Sequence, residues 1–334
     1  MGTKKVIKAI MIVLFALSFV GCGTSGLNQK GLKKESIVIW TSGEDYKNET
    51  YLNSLIEKFP EYDFTMEYMN SSTIAAKIME EGDKCSADII LSEEYGYLNM
   101  CEEYLAELED FDFSIFLDDI VPASHKFSPE VKNGGAIILN PAVLEAKGIE
   151  EPTSYDDLLK PEFKDLVAMP SPSSSGTGYM FLRQLTNEWG EDEAFSYFEK
   201  LTENILQYTS SGSGPVNALV QGEIAVGLGM TSQAVVEINE GVGLKIIFFE
   251  EGSPFSMYGN AIIKNSYNRE SVKKVFDYLA VDLARQNNEM YFPDQIFKDF
   301  TPKIDNFPTN IHYGNMSNDT RGEKEKLLSK WIFS

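Results

Sequence analysis

Histidine is almost missing from this sequence. There are two, His125 and His312, and neither stands at a metal-ligand or acid–base spacing, which disfavours histidine triads, H-E-x-x-H zinc sites and most hydrolase chemistry. No G-x-S-x-G elbow, no phosphate-binding loop with its lysine and no long dinucleotide fingerprint is present. Basic charge is short too: 29 Lys and Arg face 51 Asp and Glu, a formal charge of −22, so there is no basic excess for a nucleic-acid partner. Cysteine is scarce. Apart from Cys22, only Cys85 and Cys101 occur, and their spacing leaves open a disulfide or two buried thiols. Beyond the N-terminus no stretch is apolar and long enough to cross a bilayer. The acid pairs Glu93-Glu94 and Asp156-Asp157 are expected to be solvated surface, the default in so acidic a chain.

What is present starts with Lys4, Lys5 and Lys8, followed by an apolar run over residues 9–20 and then Gly21 and Cys22. A basic start, a short apolar stretch and a small residue before the cut read as a secretory signal over residues 1–21, too short for a permanent span. Phe19, Val20, Gly21 and Cys22 resemble the bacterial lipobox, in which the cysteine receives lipid and becomes the first residue of the mature chain. Cleavage there leaves a chain three charges more negative than the full sequence. Residues 22–35, polar and rich in Gly, Ser and Lys, read as a flexible tether.

The body, 43% apolar over the whole sequence with 21 phenylalanines, can bury two cores. Short apolar runs at 36–40 and 87–91 each end in a small polar loop, one with Thr41 and Ser42, the other with Ser92 and Tyr95. Between them, residues 51–59 place Leu52, Leu55, Ile56 and Phe59 on one helical face. Repeated βα units predict an α/β fold in which open mixed sheets are flanked by helices, with ligands at the loops beyond the carboxyl ends of the strands. Gly134 and Gly135 open a strand suited to passing between domains. We expect a discontinuous first lobe (36–132 and 255–334), a second lobe (133–254), and a hinge near 131–140 and 250–262.

The most informative stretch is 169–179. An apolar run is broken by Pro170 and Pro172, followed by Ser173, Ser174, Ser175, Gly176, Thr177 and Gly178, and then by an apolar-periodic helix. Strand, polar loop and helix start would offer an anion unpaired amides and short hydroxyls; the plain alternative is a serine-rich turn that only caps a helix. A second loop, 209–215, brings Ser211 and Ser213. Two such loops facing each other could hold a small anion without a lysine. Trp40, Tyr95 and Tyr258 either pack on the organic part of a ligand or belong to the core.

The lipobox, the opening strand with Thr41 and Ser42, the segments 86–89, 152–164 and 168–179, and the 222–227 stretch resemble the extracellular solute-binding lipoproteins of bacterial ABC importers, in the branch associated with ferric iron, phosphonates and sugar phosphates. The resemblance covers about residues 36–290. It implies a two-lobed periplasmic-binding fold of type II, no catalysis, no cofactor, delivery to a permease and ATPase complex, a monomeric receptor held to the cell membrane by lipid on Cys22, and an extracytoplasmic location. It also implies that Ser174, Ser175, Gly176 and Thr177 grip a phosphoryl group such as that of 2-aminoethylphosphonate or a sugar or glycerol phosphate, with Thr41, Ser42 and Ser92 on the early strand-end loops; the second serine loop, with Ser211 and Ser213, belongs either to the site or to the hinge-side shell, and Tyr95 and Tyr258 are the aromatic candidates beside it. Iron-carrying relatives have adjacent tyrosines where this chain has Met230, Thr231, Ser232 and Gln233, so ferric iron, held by Tyr95, Tyr179 and Tyr258, is the alternative. A secreted enzyme on the same scaffold is a third.

Overall fold

The computed structural model describes residues 34–333. The signal segment 1–21, Cys22 and the tether up to residue 33 lie outside them. The first half of the chain runs β1 (Glu35–Thr41), α1 (Asp45–Lys58), β2 (Tyr62–Tyr68), α2 (Ser71–Glu81), β3 (Ile89–Glu94), α3 (Tyr95–Met100), β4 (Phe127–Leu139) and α4 (Pro141–Lys147). It continues as β5 (Val167–Pro170), α5 (Gly176–Trp189), α6 (Glu191–Leu201), β6 (Ile205–Thr209), α7 (Gly214–Val220), β7 (Val226–Met230), α8 (Thr231–Asn239), β8 (Lys245–Ile247) and β9 (Phe255–Ile262). Three helices close it: α9 (Glu270–Asp277), α10 (Ala284–Tyr291) and α11 (Arg321–Lys330).

Two sheets share one strand. In the first, β2, β1 and β3 are parallel and β9 lies antiparallel to β3 and to the opening half of β4. In the second, the closing half of β4 pairs antiparallel with β7 and with β8, while β7, β5 and β6 run parallel. Helices cover both faces, so the inner strands are almost continuously apolar; β5 and β7 are buried along their whole length. Successive residues point to opposite faces. Ile39 and Ile89 therefore join Leu55 and Phe276 on one side of the first sheet, while Trp40 and Ile90 join Leu98 and Phe127 on the other. In the second sheet Val167 and Met169 pack with Phe181 and Phe198, and Ala168 with Val216 and Leu219.

Several expectations change. α1 begins at Asp45, six residues before the expected start, and its buried face is Lys47, Asn48, Tyr51 and Leu55; Ile56, expected inside, is 53% exposed. α3 ends at Met100, and three single 3₁₀ turns follow. Glu93 and Glu94 are fully buried, because Lys324 from the distant α11 pairs with Glu94; the pair is not solvated surface. α11 itself was expected with the first lobe, but Leu327 and Trp331 pack into the second sheet's core beside Phe198, which gives this tail's apolar side chains their cover. Cys85 and Cys101 are free thiols. Among the described residues no helix is long and apolar enough to cross a membrane.

β4 carries the chain between sheets at Gly134 and Gly135, and the return path lies beside it. Gly135 N–H donates to Pro254 O at 2.8 Å, and Ser253 Oγ donates to Gly135 O at 2.7 Å. A Cβ on Gly135 would stand 2.8 Å from Phe181 Cζ and 2.9 Å from Pro254 Cγ, so this crossing needs glycine for space.

Candidate functional site

Loops from both sheets meet in one cleft. The first lobe supplies the turn after β1 (Ser42, Gly43, Glu44), Lys47 on α1, and Ser92 on β3; the second supplies the turn before α5 (Ser174, Ser175, Gly176, Thr177) and the loop after β6 (Ser210, Ser211, Gly212). Asn133, on the shared strand β4, and Tyr258, on β9 beside it, line the cleft together with Phe292.

The turn before α5 follows from its local sequence. Pro170 closes β5, and Ser174 and Ser175 N–H both fold back to Ser171 O, at 3.1 and 2.9 Å. Ser175 then caps α5: its O accepts from Tyr179 N–H at 2.9 Å, and its Oγ from Gly178 N–H at 3.4 Å. The amides of Gly176 and Thr177 have no acceptor within the helix and sit at its positive end. Gly178 is needed for close approach, since a Cβ there would stand 2.4 Å from Pro170 O.

Ser92 sits at a shift of register between β3 and β9, with φ of 57°, a left-handed conformation that a non-glycine residue adopts at some cost. The bulge turns its hydroxyl inward, where Lys47 Nζ donates to it at 2.7 Å and it donates to Glu130 Oε1 at 2.9 Å. Lys47 also reaches Glu130 Oε1 at 3.2 Å. The one lysine of the cleft is thus matched by a fully buried carboxylate. Sequence reasoning missed Lys47 and Glu130. The i, i+4, i+8 spacing of Lys47, Tyr51 and Leu55 was the available signal.

Glu44 faces the same space without an ion-pair partner within 4 Å among the described residues. Withdrawal from water pushes its carboxyl up to about 7, against the opposing pull of the Ser213 hydroxyl and the Lys47 ammonium. Deeper in, burial pushes Glu93 up to about 8, and the neighbouring Glu94 adds to the effect.

Of the residues expected at the site, Ser42, Ser92, Ser174, Ser175, Gly176, Thr177, Ser211 and Tyr258 line the cleft. Thr41, Tyr95 and Ser213 do not. Thr41 is fully buried behind the loop, donating to Asn48 Oδ1 at 2.9 Å and accepting from Gly43 N–H at 3.0 Å. Tyr95 packs edge-on against Phe127 and donates to Ile120 O at 3.1 Å. Ser213 lies at the rim, its hydroxyl shared with Ser211 at 3.0 Å. Trp40 is core, with Lys77 Nζ 4.0 Å above its ring. Of the three tyrosines considered for iron, Tyr258 alone lines the cleft, while Tyr179 lies under the Lys324 ammonium at 4.0 Å. Among the described residues no group of three or more His, Cys, Asp or Glu is arranged to hold a metal.

The lobes touch across this cleft. Ser72 Oγ donates to Ser174 O at 3.5 Å and Tyr97 OH to Pro172 O at 3.4 Å. Lys324 pairs with Glu94 while standing over the rings of Tyr97 and Tyr179.

Comparison with known proteins gives the same shape. A family model described as bacterial extracellular solute-binding protein matches residues 124–299. An uncharacterised Haemophilus influenzae protein is 26% identical over 97% of both chains. The spermidine/putrescine-binding periplasmic protein of Salmonella typhimurium is 28% identical over 47% of this chain and 46% of its own. A putative 2-aminoethylphosphonate-binding periplasmic protein of Salmonella typhi is 26% identical over 56% of this chain and 57% of its own. The structure of the periplasmic binding protein AfuA from Actinobacillus pleuropneumoniae, with fructose-6-phosphate bound, superposes with a TM-score of 0.80 at 22% identity, over 90% of this chain and 98% of that one.

Proposed function

The chain belongs to the bacterial extracellular solute-binding proteins, and from that premise we propose that it is the receptor of an ABC importer that captures a small phosphoryl-bearing anion between its lobes. The family's role is extracytoplasmic binding in partnership with a membrane permease and ATPase, not catalysis. The finer reading is that lipid on Cys22 holds the receptor at the membrane as a monomer, and that the ligand is a phosphonate such as 2-aminoethylphosphonate or a sugar or glycerol phosphate.

One observation carries the ligand assignment. Ser174, Ser175, Gly176 and Thr177, the last two carrying first-turn amides for which α5 has no acceptor, line a cleft that the opposite lobe closes with Ser42 and with the Ser92–Lys47 pair. Short hydroxyls and helix-start amides suit an oxyanion that brings its own charge. Ser211 and Tyr258 complete the enclosure. Calorimetric titration of the purified protein with 2-aminoethylphosphonate, hexose phosphates and phosphoglycerate tests the reading. Saturable binding to one of them is expected, and silence with all of them would sink the phosphoryl assignment.

A further inference from the structure

The cleft carries two charged side chains among its lining residues, and they are not equivalent. Lys47 is satisfied by Glu130 and Ser92. Glu44 has the Ser213 hydroxyl beside it but, among the described residues, no ion-pair partner within 4 Å. It occupies the N-cap position of α1, yet its side chain makes no cap hydrogen bond, so the carboxylate serves neither its own helix nor an ion pair. It is half-buried, and beside it in the cleft wall stand Tyr46 and Tyr68. A carboxylate flanked by aromatic rings attracts an ammonium group through charge-assisted hydrogen bonds and through the electron-rich ring faces.

Charge balance points the same way. A phosphoryl group alone would add negative charge to a space where the one lysine is already paired with Glu130 and the Glu44 carboxylate has no cation of its own within 4 Å among the described residues. A ligand that also carries a cation removes that repulsion and gives Glu44 the counter-charge the protein withholds. We propose that Glu44, with Tyr46 and Tyr68, forms an ammonium subsite opposite the α5 turn, and that the ligand is a small zwitterion: a phosphonate or phosphate monoester bearing a protonated amine. This rests on the phosphoryl reading and narrows it against sugar phosphates. The raised Glu44 carboxyl, at about 7 without a ligand, fits a group that awaits a cation before it is fully charged.

The test is a calorimetric comparison of 2-aminoethylphosphonate with ethylphosphonate, which lacks only the amine, on the wild-type protein and on Glu44→Gln. The wild type should prefer the amine by tenfold or more. Glu44→Gln should lose most of that preference, and it should hold ethylphosphonate more tightly than the wild type does, because the carboxylate's repulsion of the phosphonate is gone. Equal binding of the two phosphonates by the wild type overturns the ammonium subsite and leaves the phosphoryl reading standing, and so does tighter binding of a hexose phosphate than of 2-aminoethylphosphonate. Preference retained in a Glu44→Gln protein with an unaltered thermal transition overturns the assignment to Glu44. Neither phosphonate binding, or putrescine binding in their place, removes both readings at once.

Discussion

At the scale of single residues, Lys47 holds the buried charge of the cleft. Its ammonium meets Ser92 Oγ and Glu130 Oε1, and Glu130 is fully buried while the lysine side chain is 7% exposed. Taking away one member of such a pair leaves an uncompensated charge out of water. Lys47→Met should therefore cost about 3–5 kcal/mol of folding stability, and the double variant Lys47→Met, Glu130→Leu much less. Urea denaturation of the single and double variants checks this, and a single-variant loss below about 1 kcal/mol would contradict a charge pair of this kind. Glu93 gives a second expectation. Burial lifts its carboxyl from an ordinary 4.5 to about 8, so between those values the folded protein holds a proton that the unfolded chain has released. Its contribution turns unfavourable as pH rises from about 4.5 and is fully unfavourable above about 8. Glu93→Gln cannot ionise, so its melting temperature relative to wild type should climb across that window; a pH-independent difference would refute it. Neither burial was legible in the sequence. An acidic residue in an acidic chain reads as surface, and what encloses Glu94 and Glu130 are lysines 230 and 83 positions away.

At the scale of elements, the turn before α5 was legible because its chemistry is local. Prolines stop β5, a serine caps the helix, and Gly178 lets the helix start press against Pro170 O. The start of α1 was not. Its cap residue, Glu44, makes no side-chain cap bond, and its first turn is polar, so apolar spacing marked the helix only from Tyr51 onward. Lys47 was lost with that missing turn. Ser175 stands to have two tasks, since its hydroxyl caps α5 and the residue lines the cleft. Ser175→Ala should lower stability by about 0.5–2 kcal/mol through the lost cap. It should also weaken a phosphoryl ligand by about 1–3 kcal/mol through the lost partner. Thermal unfolding and calorimetry separate the two effects. An unchanged affinity in a destabilised variant would leave Ser175 as a cap alone.

At the scale of the whole molecule, the alternation of strands and helices and the glycine crossing at 134–135 were readable in order along the chain, whereas the docking of the last helix was not. α11 is fixed to the second lobe by Leu327 and Trp331, yet Lys324, fully buried on the same helix, pairs with Glu94 at the start of α3 in the first. Its ammonium also stands 3.6 Å above the Tyr97 ring of α3 and 4.0 Å above the Tyr179 ring of α5. A helix with an apolar anchor in one lobe and a charge in the other is bound to the spacing between them. On the proposed function the lobes must part, and parting them would either break the Lys324–Glu94 pair or peel α11 from its core. Breaking the pair exposes two charges to water, which is the cheaper course, so the pair is expected to act as a closing contact. Lys324→Met leaves Glu94 unpaired between the lobes and should favour the open form. The ligand-free variant should then scatter X-rays with a larger radius of gyration than wild type. Apparent affinity falls in proportion to the closed population, about tenfold if that population drops to about a tenth. Adding Glu94→Gln removes the stranded charge and should restore part of both. An unchanged radius and affinity in Lys324→Met would mean that the crossing strands alone set the balance between open and closed.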